Sequence, residues 1–165
     1  MSTNNPAHLK ASDYLGLHRY SLIFCTDRRR HLFVRPDVVM LVLSQISRSA
    51  ADEHFAIVAY CFMPDGLHLL VEAQSDSSNA RRFIARAKQY SGFHYSRTFR
   101  RALWQRYGFE RVLRDDEGTL VVARYILESP VRAGLVRAPE EYPFLGSKVY
   151  PLNHLLAGST RSGRG

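Results

Sequence analysis

Apolar and polar positions along the chain change period several times, and the changes mark out a series of elements. Tyr20–Thr26 (YSLIFCT) is dense in β-branched and aromatic residues and predicts a first strand. A basic loop, DRRRHLF (Asp27–Phe33), follows it. From Pro36 the apolar residues Val39, Leu43, Ile46 and Ala50 recur at helical spacing, and the proline suits a first helical turn. Phe55–Phe62 (FAIVAYCF) reads as a second strand, and Met63-Pro64-Asp65-Gly66 carries turn chemistry. Leu67–Glu72 is a third strand, apolar enough to be central and placed to hairpin with the second. Asn79 caps a second helix that runs to about Phe99, with a bend expected near Gly92. Phe109–Leu113 is a short fourth strand, and Asp115-Asp116-Glu117-Gly118 turns the chain into a third helix, Thr119–Glu128. Pro130 ends that helix, and Ser129 is pushed out of helical dihedrals by the proline after it.

The order β-α-β-β-α-β predicts an α+β, ferredoxin-like antiparallel sheet with two helices on one face. The C-terminal helix then remains to cover or flank the other face. One domain over residues 18–150 is expected, preceded by a flexible arm at 1–17 and followed by a disordered basic tail at 151–165. The fold by itself selects no function, because it hosts many chemistries.

Composition narrows the setting. Apolar residues make up 45% and charged residues 23% of the 165, ordinary values for a globular protein. No run approaches the roughly 20 apolar residues of a membrane span. The segment MSTNNPAHLKASDYLG lacks the order of a signal peptide, so a cytoplasmic location is expected. Cys25 and Cys61 sit in apolar runs and read as reduced, buried thiols.

Charge changes the picture more. The net charge is +8, and no acid occurs between Asp76 and Glu110. That interval holds Arg81, Arg82, Arg86, Lys88, Arg97, Arg100, Arg101 and Arg106, interleaved with Phe83, Tyr90, Phe93, Tyr95, Phe99 and Trp104. Cations that neutralise phosphates, beside rings that stack on unpaired bases, suit a nucleic-acid surface. The competing reading is a solvated helix face whose aromatics are core.

Two segments carry candidate chemistry: MPDGLHLLVE (Met63–Glu72), with His68 in an apolar run, and RYILESPVRAGLV (Arg124–Val136), with Tyr125 ahead of Pro130. On their residues alone, His68 reads as a core-strand histidine and Tyr125 as a core tyrosine of an amphipathic helix. Together with LWQRYGFERVL (Leu103–Leu113) and EEYPFLGS (Glu140–Ser147), in this order and spacing, they resemble the single-tyrosine HUH transposases, particularly the REP-associated tyrosine type. The resemblance covers roughly residues 18–147.

The resemblance implies that Tyr125 is the nucleophile, its phenolate attacking a phosphodiester to form a phosphotyrosine. It implies a divalent metal, Mg²⁺ or Mn²⁺, held by two histidines spaced i, i+2 on one strand face. Here those positions are Gly66 and His68, so one ligand position has no side chain. The resemblance also places a metal-side polar residue four after the tyrosine, where the family has an asparagine; here it is Ser129, a weaker third ligand. Asp65 has the opposite strand parity to the lost histidine, although it sits at a turn where parity is soft, and Glu72 lies about 13 Å along the strand from His68. His31, His54 and His94 have no place assigned by sequence.

Single-stranded or hairpin DNA is the implied partner, and a homodimer one implied assembly. Three readings stay open: a metal-dependent nicking and joining transposase, a catalytically impaired relative that only binds DNA, and an RNA-binding or structural ferredoxin-like module. The aromatic signature of RNA-recognition strands is absent, which weighs against the third.

Overall fold

The computed structural model describes residues 11–157. Its elements are β1 (Arg19–Cys25), α1 (Pro36–Glu53), β2 (Phe55–Met63), β3 (Gly66–Ala73), α2 (Ala80–Phe99), β4 (Phe109–Val112), α3 (Thr119–Leu127), α4 (Ser129–Arg132), β5 (Leu145–Gly146) and α5 (Leu152–Leu156). The strands form one five-stranded sheet in the order β4-β1-β3-β2-β5, every pair antiparallel. The predicted β-α-β-β-α-β succession is therefore observed, with β5 added at the β2 edge.

The continuous apolar run of β3 is what a central strand needs, since both of its faces are covered. Leu67, Leu69, Val71 and Ala73 point into the larger core, under α1 and α2. Leu70 points into a second core formed with α3 and α5. In α2 the buried stripe is Phe83, Ala87, Ser91 and Tyr95, one residue per turn. Asn79 Oδ1 accepts from Arg82 N at 3.1 Å, the predicted N-cap. A β-bulge between Ile57 and Ala59 shifts the parity of β2. Phe55 and Ile57 face the helical pair before it, whereas Ala59 and Cys61 face α3 after it. Gly108 leads into β4 so close to β1 that a Cβ would meet Ile23 O.

Three expectations need correction. Pro130 does not end helical structure: the irregular residue is Glu128 (φ −87°, ψ 0°), and Ser129 opens the new turn α4. A proline in a first turn lacks only a donor that would have had no helical partner. The tail predicted to be disordered from residue 151 contains α5, because Leu155 and Leu156 find the apolar surface beside α3 and bury there. Residues 158–165 lie outside the described residues. The predicted arm at 1–17 ends in a 3-10 turn, Ala11–Tyr14, with Tyr14 buried; residues 1–10 lie outside the described residues.

Candidate nucleic-acid interface

His68 shares face parity with Leu70, so its imidazole projects from the centre of the sheet toward the α3 side. It pairs in register with Ile23 on β1 and Cys61 on β2. Tyr125 arises on α3 because Ala123, Ile126 and Leu127 take the buried stripe and leave it outward, 62% exposed. The break at Glu128 and restart at Ser129 then bring Arg132 back over Tyr125. Its Cζ stands 3.7 Å from the ring centroid, and its Nη2 donates to Ser129 Oγ at 3.1 Å. A guanidinium stacked on a ring face gains cation–π attraction and restricts the ring's rotamer.

The same guanidinium reaches the strand residues. His68 is held below the ordinary histidine value, first by burial, then by Arg132, with Asp65 opposing and Arg29 adding to the shift. The imidazole is therefore neutral at pH 7. Burial pushes the Cys61 thiol up to about 12 against a smaller opposing pull from Arg132, so it is no thiolate ligand.

Arg29 belongs to the basic loop after β1. Its Nε and Nη2 both donate to Asp65 Oδ2, at 3.0 and 2.8 Å. Arg28 and Arg29 occupy left-handed backbone, φ 56° and 54°. Consecutive left-handed residues with side chains are costly and persist only where surroundings impose them. Here Thr26 imposes them: its Oγ1 donates to Arg30 O at 2.7 Å, and its N donates to Asp65 O at 3.0 Å.

These residues do not fit a divalent ion. Gly66 supplies no side chain, Ser129 Oγ accepts from Arg132, and Asp65 is engaged by Arg29. Among the described residues no group of three or more His, Cys, Asp or Glu is gathered to hold a metal. His68 is left without the companion ligands that a divalent ion needs.

The eight cations predicted to bind DNA sit on α2 and the segment after it, and α2 packs with α1 on the sheet face away from His68. Arg82 and Arg86 pair with the buried Glu53 at 3.7 and 3.2 Å. Lys88 is spent inside: its Nζ donates to Gln105 O and Arg106 O at 3.4 and 3.2 Å, over the Phe24 ring. Arg81, Arg97 and Arg106 lie over Tyr14, Phe93 and Tyr107. Arg100 closes α2 in left-handed backbone, and Arg101 is exposed. The structure thus brings Tyr125, Ser129 and His68 to one side of the sheet and the α2 members of the predicted basic set to the other. Arg132 and Arg29 were missed, although Arg132 lies in the tyrosine segment itself, two helical turns after Tyr125.

Sheet order and helix placement define a small α+β fold, and sequence comparison gives its family. Residues 15–128 match the family described as transposase IS200 like, and the chain belongs to it. A protein of Haemophilus influenzae (strain ATCC 51907 / DSM 11121 / KW20 / Rd) assigned as a REP-associated tyrosine transposase is 24% identical over 153 residues, covering 82% of this chain and 85% of the relative. A solved REP-associated tyrosine transposase bound to a REP hairpin superposes with a TM-score of 0.64 at 19% identity, over 88% of this chain and 82% of that one. A crystallised transposase assigned in Deinococcus radiodurans R1 gives 0.51 at 23% identity, over 73% and 96%. Among the described residues, no helix is long and apolar enough to cross a membrane.

Proposed function

We propose that this chain binds hairpin-bearing or single-stranded DNA on the α3 side of the sheet, the side of His68 and Tyr125. The observation that supports this most directly is the guanidinium of Arg132, stacked on an exposed tyrosine and within electrostatic reach of His68. A phosphodiester laid beside Tyr125 meets a phenol and the Arg132 guanidinium together, on the side of the sheet toward which His68 projects. The related structure holds a REP hairpin, which suits the same partner class. DNA binding ranks ahead of cutting, because Gly66 and Ser129 leave the family's metal ligands incomplete. A cytoplasmic location accords with this role.

Strand nicking is the second reading, favoured by the accessibility of Tyr125. In that step Tyr125 Oη would form a bond to phosphorus, one phosphodiester P–O bond would break, and the phenolic proton would end on the leaving oxygen. A hairpin-bearing single-stranded oligonucleotide tests both readings. Binding that weakens steeply with salt is expected, with no covalent adduct on denaturing gels in either Mg²⁺ or Mn²⁺. An adduct abolished by Tyr125→Phe would promote the second reading, and no binding at low salt would sink both.

A further inference from the structure

We infer that the cleft between α1 and α2, lined by Arg48, Gln89, Tyr90, Phe93 and His94, seats an unpaired nucleotide of a DNA strand. Its base lies on the Phe93 ring, and its phosphates meet the exposed guanidiniums of Arg97 and Arg48. The inference extends the DNA-binding reading above to the helix side of the sheet, as a second contact on the opposite side from Tyr125.

The core stripe of α2 is Phe83, Ala87, Ser91 and Tyr95, so Phe93 lies off it and belongs to neither buried cluster. It is 54% exposed. A single exposed phenylalanine is ordinary; its company sets this one apart. Gln89, Phe93 and Arg97 follow at i, i+4 and i+8, so an amide, a ring and a guanidinium share one exposed helix face. Arg97 Cζ stands 5.5 Å from the Phe93 ring centroid. Across the cleft α1 contributes Arg48, whose Cζ lies 4.1 Å from the Tyr90 ring centroid and whose Nη1 donates to Gln45 Oε1 at 3.4 Å. Arg86 Nη1 donates to Tyr90 Oη at 3.0 Å and fixes that ring as a wall of the cleft. The enclosed space is about 280 Å³, just under the range of pockets that take whole drug-sized molecules and enough for a single base.

Charge decides the partner. Glu53 is taken up by Arg82 and Arg86 at 3.7 and 3.2 Å. Arg48 and Arg97 have no carboxylate partner among the described residues. Two guanidiniums without counter-charge beside an open ring select a polyanion with free base faces, which is a single strand rather than a duplex or an apolar peptide.

The test is binding of a short unstructured oligothymidylate, followed by fluorescence anisotropy and by the emission of Phe93→Trp. Trp104 is the one native tryptophan and is half-buried, its Nε1 donating to Ser91 Oγ at 2.9 Å, so wild type supplies the baseline. The added emission should be quenched saturably by the oligonucleotide, and far less by thymidine monophosphate at equal nucleotide concentration. Phe93→Ala should weaken binding about tenfold at an unchanged melting temperature. Arg48→Gln and Arg97→Gln should each flatten the dependence of log K on log salt by about 0.7. The cleft is overturned if Phe93→Ala binds as wild type does, if its loss of binding comes with a matching fall in melting temperature, or if the Phe93→Trp emission stays unquenched at saturation. Quenching as strong with the monophosphate overturns the assignment to a strand. Wild type that binds a hairpin but no oligothymidylate, or binding abolished by Arg132→Gln and untouched by Phe93→Ala, overturns the cleft and leaves the α3-side reading standing. Wild type that binds neither DNA at low salt overturns both.

Discussion

Restoring a side chain at position 66 bears hardest on the claim that this site no longer suits a metal. Gly66 is buried, and a Cβ there would stand 3.1 Å from Phe24 O and 3.8 Å from Cys25 Cα. The carbonyl has little room to retreat. Phe24 is 1% exposed, its ring packed edge-on against Trp104 at 5.5 Å and beneath Lys88 Nζ at 5.4 Å. Two effects oppose each other in Gly66→Ala. Losing a glycine narrows the unfolded ensemble and stabilises by about 0.4–1 kcal/mol. Crowding a packed contact that cannot relax costs about 1–3 kcal/mol. The second wins by about 1 kcal/mol, which lowers the melting temperature by about 3 °C at this chain length. Gly66→His puts a larger ring against the same carbonyl, so the loss should reach about 2 kcal/mol. Thermal unfolding of wild type and both variants, with and without Mn²⁺, measures this. A metal held at a concentration 100-fold above its dissociation constant would add about 2.7 kcal/mol to the folded state. If Gly66→His melts at or above wild type and gains several degrees in millimolar Mn²⁺, position 66 accepts a ligand and the reasoning is refuted.

Two further predictions address groups away from the phosphate site. Lys88→Met should cost about 1 kcal/mol, because two carbonyls lose their donor while a desolvated charge is removed, and the salt dependence of DNA binding should stay unchanged. A flattened slope would return Lys88 to the DNA surface. Tyr142 Oη donates to Phe62 O at 2.6 Å and ties the segment before β5 to β2; burial pushes this phenol, Tyr20 and the Cys61 thiol each up to about 12. Folded values above the unfolded ones favour the protonated forms, so their stabilisation is complete below about pH 9 and is lost as pH rises toward 12. Urea unfolding at pH 8 and pH 10.5 should show that fall, and Tyr142→Phe should lower the unfolding free energy at pH 8 by about 1 kcal/mol and make the fall shallower. Equal midpoints for wild type at the two pH values would contradict it.

The long elements were legible because their period repeats several times: Val39, Leu43, Ile46 and Ala50 leave no doubt about α1, and the unbroken apolar run of β3 marks a strand covered on both faces. What escaped was set by tertiary context. Two residues of β5 and five of α5 carry too little pattern to read, and they are ordered by packing on β2 and α3. The restart at Ser129 was hidden because proline signals a stop and an N-terminal turn equally well. The motif singled out Tyr125 and His68, and both lie on the α3 side of the sheet. The location of the basic set was not: a run of arginines says that a helix face is solvated, but not which side of the sheet that helix covers. That side depends on the pairing register of β3 and the bulge in β2, which decide that His68 faces α3.

This geometry separates two features that sequence alone joins. The cations that dominate the charge of the chain pack on α1, on aromatics or against carbonyls behind the sheet, where several already have partners. The charge beside Tyr125 comes instead from Arg132, within the same eight-residue stretch as the tyrosine and Ser129. Tyrosine, serine and guanidinium are therefore positioned by one local device, the break at Glu128, and do not depend on a side chain at position 66. Only His68 must come from the sheet. A site assembled this way keeps its phosphate-facing charge when the metal ligands are incomplete, since a guanidinium carries its charge permanently and requires no third ligand. It gives up the polarising power that a divalent ion lends to phosphoryl transfer. On the DNA-binding reading proposed above, salt-sensitive binding with slow or absent strand cutting is the behaviour expected of such a site.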